Sequence, residues 1–183
     1  MSVTEGRNAR ALPAQASPPP PASVRTLLDA VVAVGSDLHL SEVLARVVRS
    51  ACDLVDAEYG ALGVLRPGGD DVVEFIVEGI SSQERVVIGE LPRGAGILGL
   101  LVRDPRPLRL ADLTKHPSFR GFPPGHPPMR TFLGAPVRVR GVVFGNLYLT
   151  EKRGGGPFTD NDEAIVTTLA AATGVAIDNA RIY

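Results

Sequence analysis

The chain has 183 residues and a formal net charge of −1, enough for one domain with a real core plus a tail. That balance excludes a general pull toward nucleic acid or anionic lipid, and the lone cysteine, Cys52, excludes an intramolecular disulfide. The longest strongly apolar run, GILGLLV at 96–102, is far too short to cross a bilayer, and no secretory signal opens the chain, so a soluble, cytoplasmic protein is expected.

Residues 1–22 are poor in large apolar groups and end in a proline run, the composition of a disordered or extended leader; the domain is expected over 23–183. Ser23 can cap a first helix whose stripe is Leu27, Leu28, Val31 and Val32, ending before Gly35. A second helix is predicted over 40–56, where Leu40, Val43, Leu44, Val47, Val48, Ala51 and Val55 recur at helical spacing. Cys52 falls near its buried edge and is expected in the core. His39, between the two helices, is expected to take no part in function.

YGALGVL (59–65) and VVEFIVE (72–78), joined by the turn composition RPGGDD, predict an antiparallel hairpin. From about 80 to 128 the pattern is irregular: short helical pieces, a brief strand in PLRLAD, then the stretch GFPPGHPPMRTFLG (121–134). There Pro123, Pro124, Pro127 and Pro128 flank His126 and forbid a helix. Strands FLGAPVRVR and VVFGNLYLT meet near Gly141. The last helix starts at FTDNDE, with Thr159 as N-cap and Asp160, Asp162 and Glu163 where the helix dipole favours negative charge. It runs to Tyr183 without a stop signal, the pattern of a shortened chain or of a helix that continues into something else.

This order implies an α+β domain: an antiparallel sheet with the N- and C-terminal helices on one face. Alternation in VVFGNLYLT assigns Val143, Leu147 and Leu149 to the helix face. Phe144, Asn146, Tyr148 and Thr150 then face the other way, a mixture suited to a pocket wall that the irregular middle would cover. His126 has two readings, a loop histidine bonded to nearby backbone or a metal ligand whose direction the prolines fix. His116, in a more polar stretch, reads as surface or structural.

Over about 24–183 the sequence resembles a GAF domain, the small-ligand and signalling module of many sensor proteins. Glu151-Lys152, then Phe158, then Asp162-Glu163 resemble the asparagine-lysine…phenylalanine-x-x-x-aspartate-glutamate signature of cyclic-nucleotide-binding GAF domains. Glu151 stands where that signature has asparagine, a departure that weakens the case for nucleotide binding, and Lys152 and Asp162 are expected as an ion pair between the last strand and the last helix. Within the family, GFPPGHPPMRTFLGAPVRVR, FGNLYLTEK and DLVDAEYGAL resemble the first GAF domain of the mycobacterial dormancy oxygen and redox sensor kinases (DevS/DosT type), which bind heme b.

That resemblance implies His126 as the proximal iron ligand and Tyr148 as the distal residue that hydrogen-bonds a bound gas. Gly63 matches a distal-edge position that the family fills with glutamate or glycine; its plain reading is close backbone approach within a strand. Tyrosine is also common on strands for packing reasons alone. Ile97, Leu98, Leu101, Phe119, Phe122, Met129, Phe132 and Leu133 are the apolar groups available to clothe a porphyrin, and would equally make an ordinary core. The propionate partners cannot be chosen among so many arginines.

The implied function is a sensory module responding to oxygen, carbon monoxide, nitric oxide or redox state. A homodimer through the terminal helices and output to a histidine kinase are implied with it. The alternative is a heme-free GAF domain serving as a dimerisation or interaction unit, or binding another small molecule. A free methionine sulfoxide reductase, the third reading, needs a nucleophilic cysteine, which a buried Cys52 does not offer. No GxSxG, Walker loop or paired-cysteine zinc site occurs, so an enzyme is not expected.

Overall fold

The computed structural model describes residues 40–89 and 96–182. The leader, the helix predicted before Gly35, and His39 lie outside the described residues. Helix α1 (Leu40–Val55) forms because its apolar stripe recurs at helical spacing, and Val43, Leu44, Val47, Val48, Ala51, Cys52 and Val55 are all buried. Asp56, at φ 52°, turns the chain out of the helix and into β1 (Ala57–Leu65), which starts two residues before the predicted strand. Then come β2 (Val72–Glu78), α2 (Ser82–Ile88), α3 (Gly96–Arg103), β3 (Leu108–Leu110) and a 3-10 turn at Leu113–Lys115. β4 (Phe132–Val139), β5 (Val142–Lys152) and α4 (Asp160–Ile182) complete the order.

The five strands form one antiparallel sheet in the order β2-β1-β5-β4-β3. Arg140 and Gly141, both at positive φ (50° and 80°), make the two-residue turn of the β4–β5 hairpin. Pro136 sits inside β4 beyond the last β3 pairing at Gly134, where a missing N–H breaks no ladder bond to β3.

Helices α1 and α4 pack on one face of the sheet. Their core joins Leu44, Val47 and Val48 to Leu62, Leu147 and Leu149 and to Val166, Leu169 and Ile177. At Gly174 the last helix approaches the Arg138 carbonyl so closely that no Cβ would fit. The helix starts where expected: Thr159 N–H donates to Asp162 Oδ2 at 2.8 Å, and Asp162 N–H donates back to Thr159 Oγ1 at 3.1 Å.

Two side-chain placements differ from strict alternation read off the sequence. Val137 pairs with Gly145 but Arg138 pairs with Val143, so Phe144 is an extra residue in β5. This bulge reverses the phase, and Phe144 packs in the helix-side core instead of the pocket face. Leu133, expected to clothe a porphyrin, also lies in the helix-side core, paired with Leu149. Neighbouring strand residues point to opposite faces, so Phe132 and Leu133 cannot both serve the pocket.

The other face carries a second cluster, in which Ala61, Phe132 and Tyr148 of the sheet meet Ile97 and Leu101 of α3, Leu113 and Met129. Leu101, fully buried, lies over Gly134, where a Cβ would come 2.9 Å from its Cδ2. Among the described residues no helix is long and apolar enough to cross a membrane.

Candidate functional site

Between this second sheet face and the middle of the chain lies a cavity of about 630 Å³. Its walls are Phe75 and Val77 of β2, Arg85 and Ile88 of α2, Gly96, Ile97 and Leu98 of α3, the loop from Phe119 to His126, and Met129, Phe132 and Thr150. Volume and composition suit a small-molecule site, which is commonly about 300–1,000 Å³ and mostly apolar.

Each wall is fixed locally. A capping box sets α2: Ser81 Oγ accepts from Glu84 N–H while the Glu84 carboxylate accepts from Ser81 N–H. Arg85 reaches from that helix to donate to the Phe75 carbonyl of β2. The proline-rich loop rests on α2 through Gly125, at φ 78°, where a Cβ would come 2.5 Å from Val87 Cγ1. Its far end is held by Glu151, whose Oε1 accepts from the N–H groups of Arg130 and Thr131. Lys152 N–H donates to Thr131 Oγ1 at 2.8 Å, and Thr150 Oγ1 donates to Met129 Sδ at 3.1 Å.

His126 lines this cavity, half-buried, with its backbone N–H bonded to the Pro123 carbonyl at 3.1 Å. Its Nδ1 lies 2.7 Å from the Pro127 carbonyl oxygen. A carbonyl only accepts, so Nδ1 carries the proton and, in the neutral ring, Nε2 keeps its lone pair free. The ring stacks on Phe122, centroids 4.8 Å apart and planes 9° from parallel. Backbone bond and stack together fix the direction in which Nε2 points.

Tyr148 lies one layer deeper. It does not line the cavity, and its ring sits between Phe75 and Phe132, centroids 6.3 and 6.1 Å away. Its hydroxyl has no hydrogen-bond partner among the described residues. Burial pushes the phenol above its ordinary range, with Asn146 beside it acting in the opposite sense. Asn146 is fully buried, and neither polar atom of its amide has a hydrogen-bond partner among the described residues.

Of the residues singled out in the sequence, Ile97, Leu98, Phe119, Phe122, His126, Met129 and Phe132 come together around the cavity. Leu101, Gly63 and Tyr148 stand behind that lining, with Gly63 placed so that a Cβ would touch the rings of Phe75 and Tyr148 at 3.4–3.5 Å. His116 is not part of the wall; its Nδ1 accepts from Ser118 N–H at 3.1 Å. Thr150, which alternation assigned to a pocket wall, also lines it, whereas Phe75, Val77, Ile80, Arg85, Ile88, Leu113 and Arg120 are lining residues absent from that set. The alternation of VVEFIVE could have found Phe75 and Val77, and Ser81 with Glu84 spells a capping box before Arg85.

Cys52 is on the helix side of the sheet, away from the cavity, and burial, with a smaller contribution from Glu78, pushes its thiol up to about 12. Such a thiol is not a nucleophile at neutral pH.

The sequence model of the GAF domain matches residues 37–178. The chain belongs to the GAF domain family. Solved structures agree with that assignment. The GAF domain of a phosphoenolpyruvate-protein phosphotransferase (ptsP) from Coxiella burnetii is similar with a TM-score of 0.71 and 25% identity, over 87% of this chain and 95% of that one. Free methionine-R-sulfoxide reductase from Neisseria meningitidis, solved with its substrate, is similar with a TM-score of 0.69 and 15% identity, over 87% and 90%. A GAF domain/HD domain protein from Geobacter sulfurreducens is similar with a TM-score of 0.66 and 19% identity, over 85% and 99%. The last two likenesses concern the fold alone. GAF domains are sensory and interaction modules, and this one encloses an apolar cavity on the sheet face opposite its helices.

Proposed function

We propose that this GAF domain is a sensory module that binds heme b in the cavity, with His126 Nε2 as the protein ligand to iron. The observation that carries the reading is the fixed His126 ring: Nδ1 is held by the Pro127 carbonyl, which leaves Nε2 as the ligand atom, and the residue lines a largely apolar cavity. Among the described residues no group of three or more His, Cys, Asp or Glu could hold a metal ion. A porphyrin would bring the other ligands of a metal bound by His126.

Ile97, Leu98, Phe119, Phe122, Met129 and Phe132 supply apolar contact, and Arg85 and Arg120 are the lining cations available to the propionates. Bound heme would supply an iron that takes oxygen, carbon monoxide or nitric oxide, or that changes oxidation state. Tyr148, whose unpartnered hydroxyl lies one layer behind the lining, would reach a bound gas only if that lining shifted, and Gly63, without a side chain, would leave that edge open. Ligation can signal only by favouring one arrangement of the module over another. The long α4 is the natural output element, and a homodimer through the terminal helices with a histidine kinase as receiver belongs to the same reading.

An absorption spectrum before and after adding hemin, beside a His126→Ala variant, tests this. A stoichiometric heme band that the variant loses or shifts is expected. A wild-type protein without a specific band, or a variant with an unchanged one, overturns the reading and leaves a heme-free interaction module.

A further inference from the structure

Among the described residues, no aspartate or glutamate lines the cavity. Its permanent charges are the guanidinium groups of Arg85 and Arg120, which stay protonated at any pH the protein survives. Both arginines are exposed, whereas Ile97, Met129 and Phe132 in the same wall are buried. The cavity thus has a cationic mouth over an apolar floor.

Elsewhere in the domain arginines meet carboxylates: Arg109 pairs with Asp160 and Glu163, Arg130 with Asp112, and Arg140 with Asp178. The two at the mouth donate to backbone carbonyls instead. Arg85 Nη2 donates to Phe75, and Arg120 Nη1 donates to Pro117 at 2.9 Å and to Phe119 at 3.3 Å. Glu84, beside Arg85 in the chain, is engaged in the Ser81 cap. A carbonyl orients a guanidinium without neutralising it, and most of the five N–H donors of each group remain for another acceptor.

We propose that the cavity selects an apolar guest that carries an anionic group on one edge, with Arg85 and Arg120 as the residues that recognise that group. The same two charges set the direction of the guest: the anionic edge lies at the mouth, and the apolar body points toward Met129 and Phe132. The inference rests on this cavity being the ligand site, as in the heme reading, which it deepens, because heme b is an apolar macrocycle with both propionates on one edge. Charge selection itself needs neither iron nor His126. A neutral molecule with the same apolar body gains the floor contacts and forgoes the mouth.

Two fluorescent probes test this on the full chain without iron. 8-Anilinonaphthalene-1-sulfonate and N-phenyl-1-naphthylamine share an apolar body and differ by one sulfonate. Ion contacts at an exposed mouth are partly screened, so Arg85→Gln and Arg120→Gln should each weaken the anionic probe about fivefold. The neutral probe should stay within about twofold of wild type, and added salt should weaken the anionic probe alone. Arg46→Gln, which removes an exposed charge from α1 on the opposite side of the sheet, should change neither. An anionic probe that does not bind wild type, that binds the double arginine variant as well as wild type, or that is lost equally in Arg46→Gln overturns the proposal. Equal loss of both probes in the arginine variants also overturns it, since that marks a damaged pocket. Hemin titrations separate this from the heme reading. Arginine-dependent probe binding without a His126-dependent hemin band keeps this proposal and removes heme. A His126-dependent band with unchanged hemin affinity in both arginine variants keeps heme and overturns this proposal.

Discussion

Lys152 Nζ lies 2.9 Å from Asp162 Oδ2, with both side chains largely buried. The same ammonium donates to the Val55 carbonyl at 3.0 Å and sits 5.8 Å from the Phe158 ring centroid. One cation thus ties the end of α1, the end of β5 and the start of α4. Asp162 also closes the cap of α4 with Thr159. Removing one partner of such a pair leaves a buried charge alone, so Asp162→Ala should cost about 3 kcal/mol. Thermal melts should show a Tm lower by roughly 10 °C. Burial pushes the Asp162 carboxyl up, but the Thr159 N–H and Lys152 outweigh it and hold it below its ordinary range. The stability it contributes is present above the unfolded carboxylate value, about 3.9, and is lost as pH falls through the depressed folded value. Wild type should therefore lose more stability than Asp162→Asn as pH falls below about 5. Parallel acid titrations of the two would contradict the pairing.

Cys52 and Gly60 make a second close contact. A Cβ on Gly60 would come 2.5 Å from Cys52 Sγ and 3.0 Å from Val48 Cγ1. Gly60→Ala should destabilise the domain by about 1–3 kcal/mol through overpacking. Cys52→Ala removes the sulfur, so the double variant should be more stable than Gly60→Ala alone, read from denaturant midpoints. Native Cys52, its thiol pushed up to about 12, should resist alkylation near neutral pH until the protein unfolds. Rapid labelling of folded protein would show that the helix-side core opens readily there.

Much of this fold was legible in the sequence because periodicity and caps are local signals. The stripe from Leu40 to Val55 predicted α1 to within one residue, VVEFIVE matched β2 at both ends, and Thr159 caps α4 as expected. The Lys152–Asp162 pair was likewise readable. What escaped depended on contacts between strands. The bulge at Phe144 exists only relative to β4, and one inserted residue moved that ring to the opposite face. The cavity draws Arg85 and Arg120 from segments far apart in the chain, which is why neither stood out among the arginines. Asn146 was placed on the right face, but its lack of a partner is a property of the packed structure.

Glu151 adopts φ 58°, in the left-handed region that asparagine tolerates better than glutamate. The related signature has asparagine at this position, and the backbone supplies a reason that does not involve nucleotide binding. Here the carboxylate also accepts from the N–H groups of Arg130 and Thr131. Glu151→Ala should lose those bonds and keep the strain, costing about 1 kcal/mol and lowering Tm by roughly 2–4 °C. Glu151→Asn should stay nearer wild type, because it relieves the backbone and retains an acceptor. Melting the three proteins together checks the order; equal loss in both variants would mean that reach to Arg130 and Thr131 is all that matters.

Gly125 meets Val87 where the proline-rich loop rests on α2, and it precedes His126 directly. An alanine there faces two separate penalties: a φ of 78° that costs a side-chain-bearing residue about 1–2 kcal/mol, and a Cβ 2.5 Å from Val87 Cγ1. The loop can escape both only by lifting from α2, which would shift the Phe122 stack and the Pro127 bond that aim His126. On the heme reading proposed above, hemin titrations should therefore show Gly125→Ala binding about tenfold more weakly, the equivalent of about 1.4 kcal/mol. Adding Val87→Ala removes the clash but not the backbone strain, so binding should recover in part and not completely. Full recovery would assign the whole effect to the clash, and no recovery would assign it to the backbone. A Gly125→Ala protein that titrates like wild type would show that α2 does not aim His126.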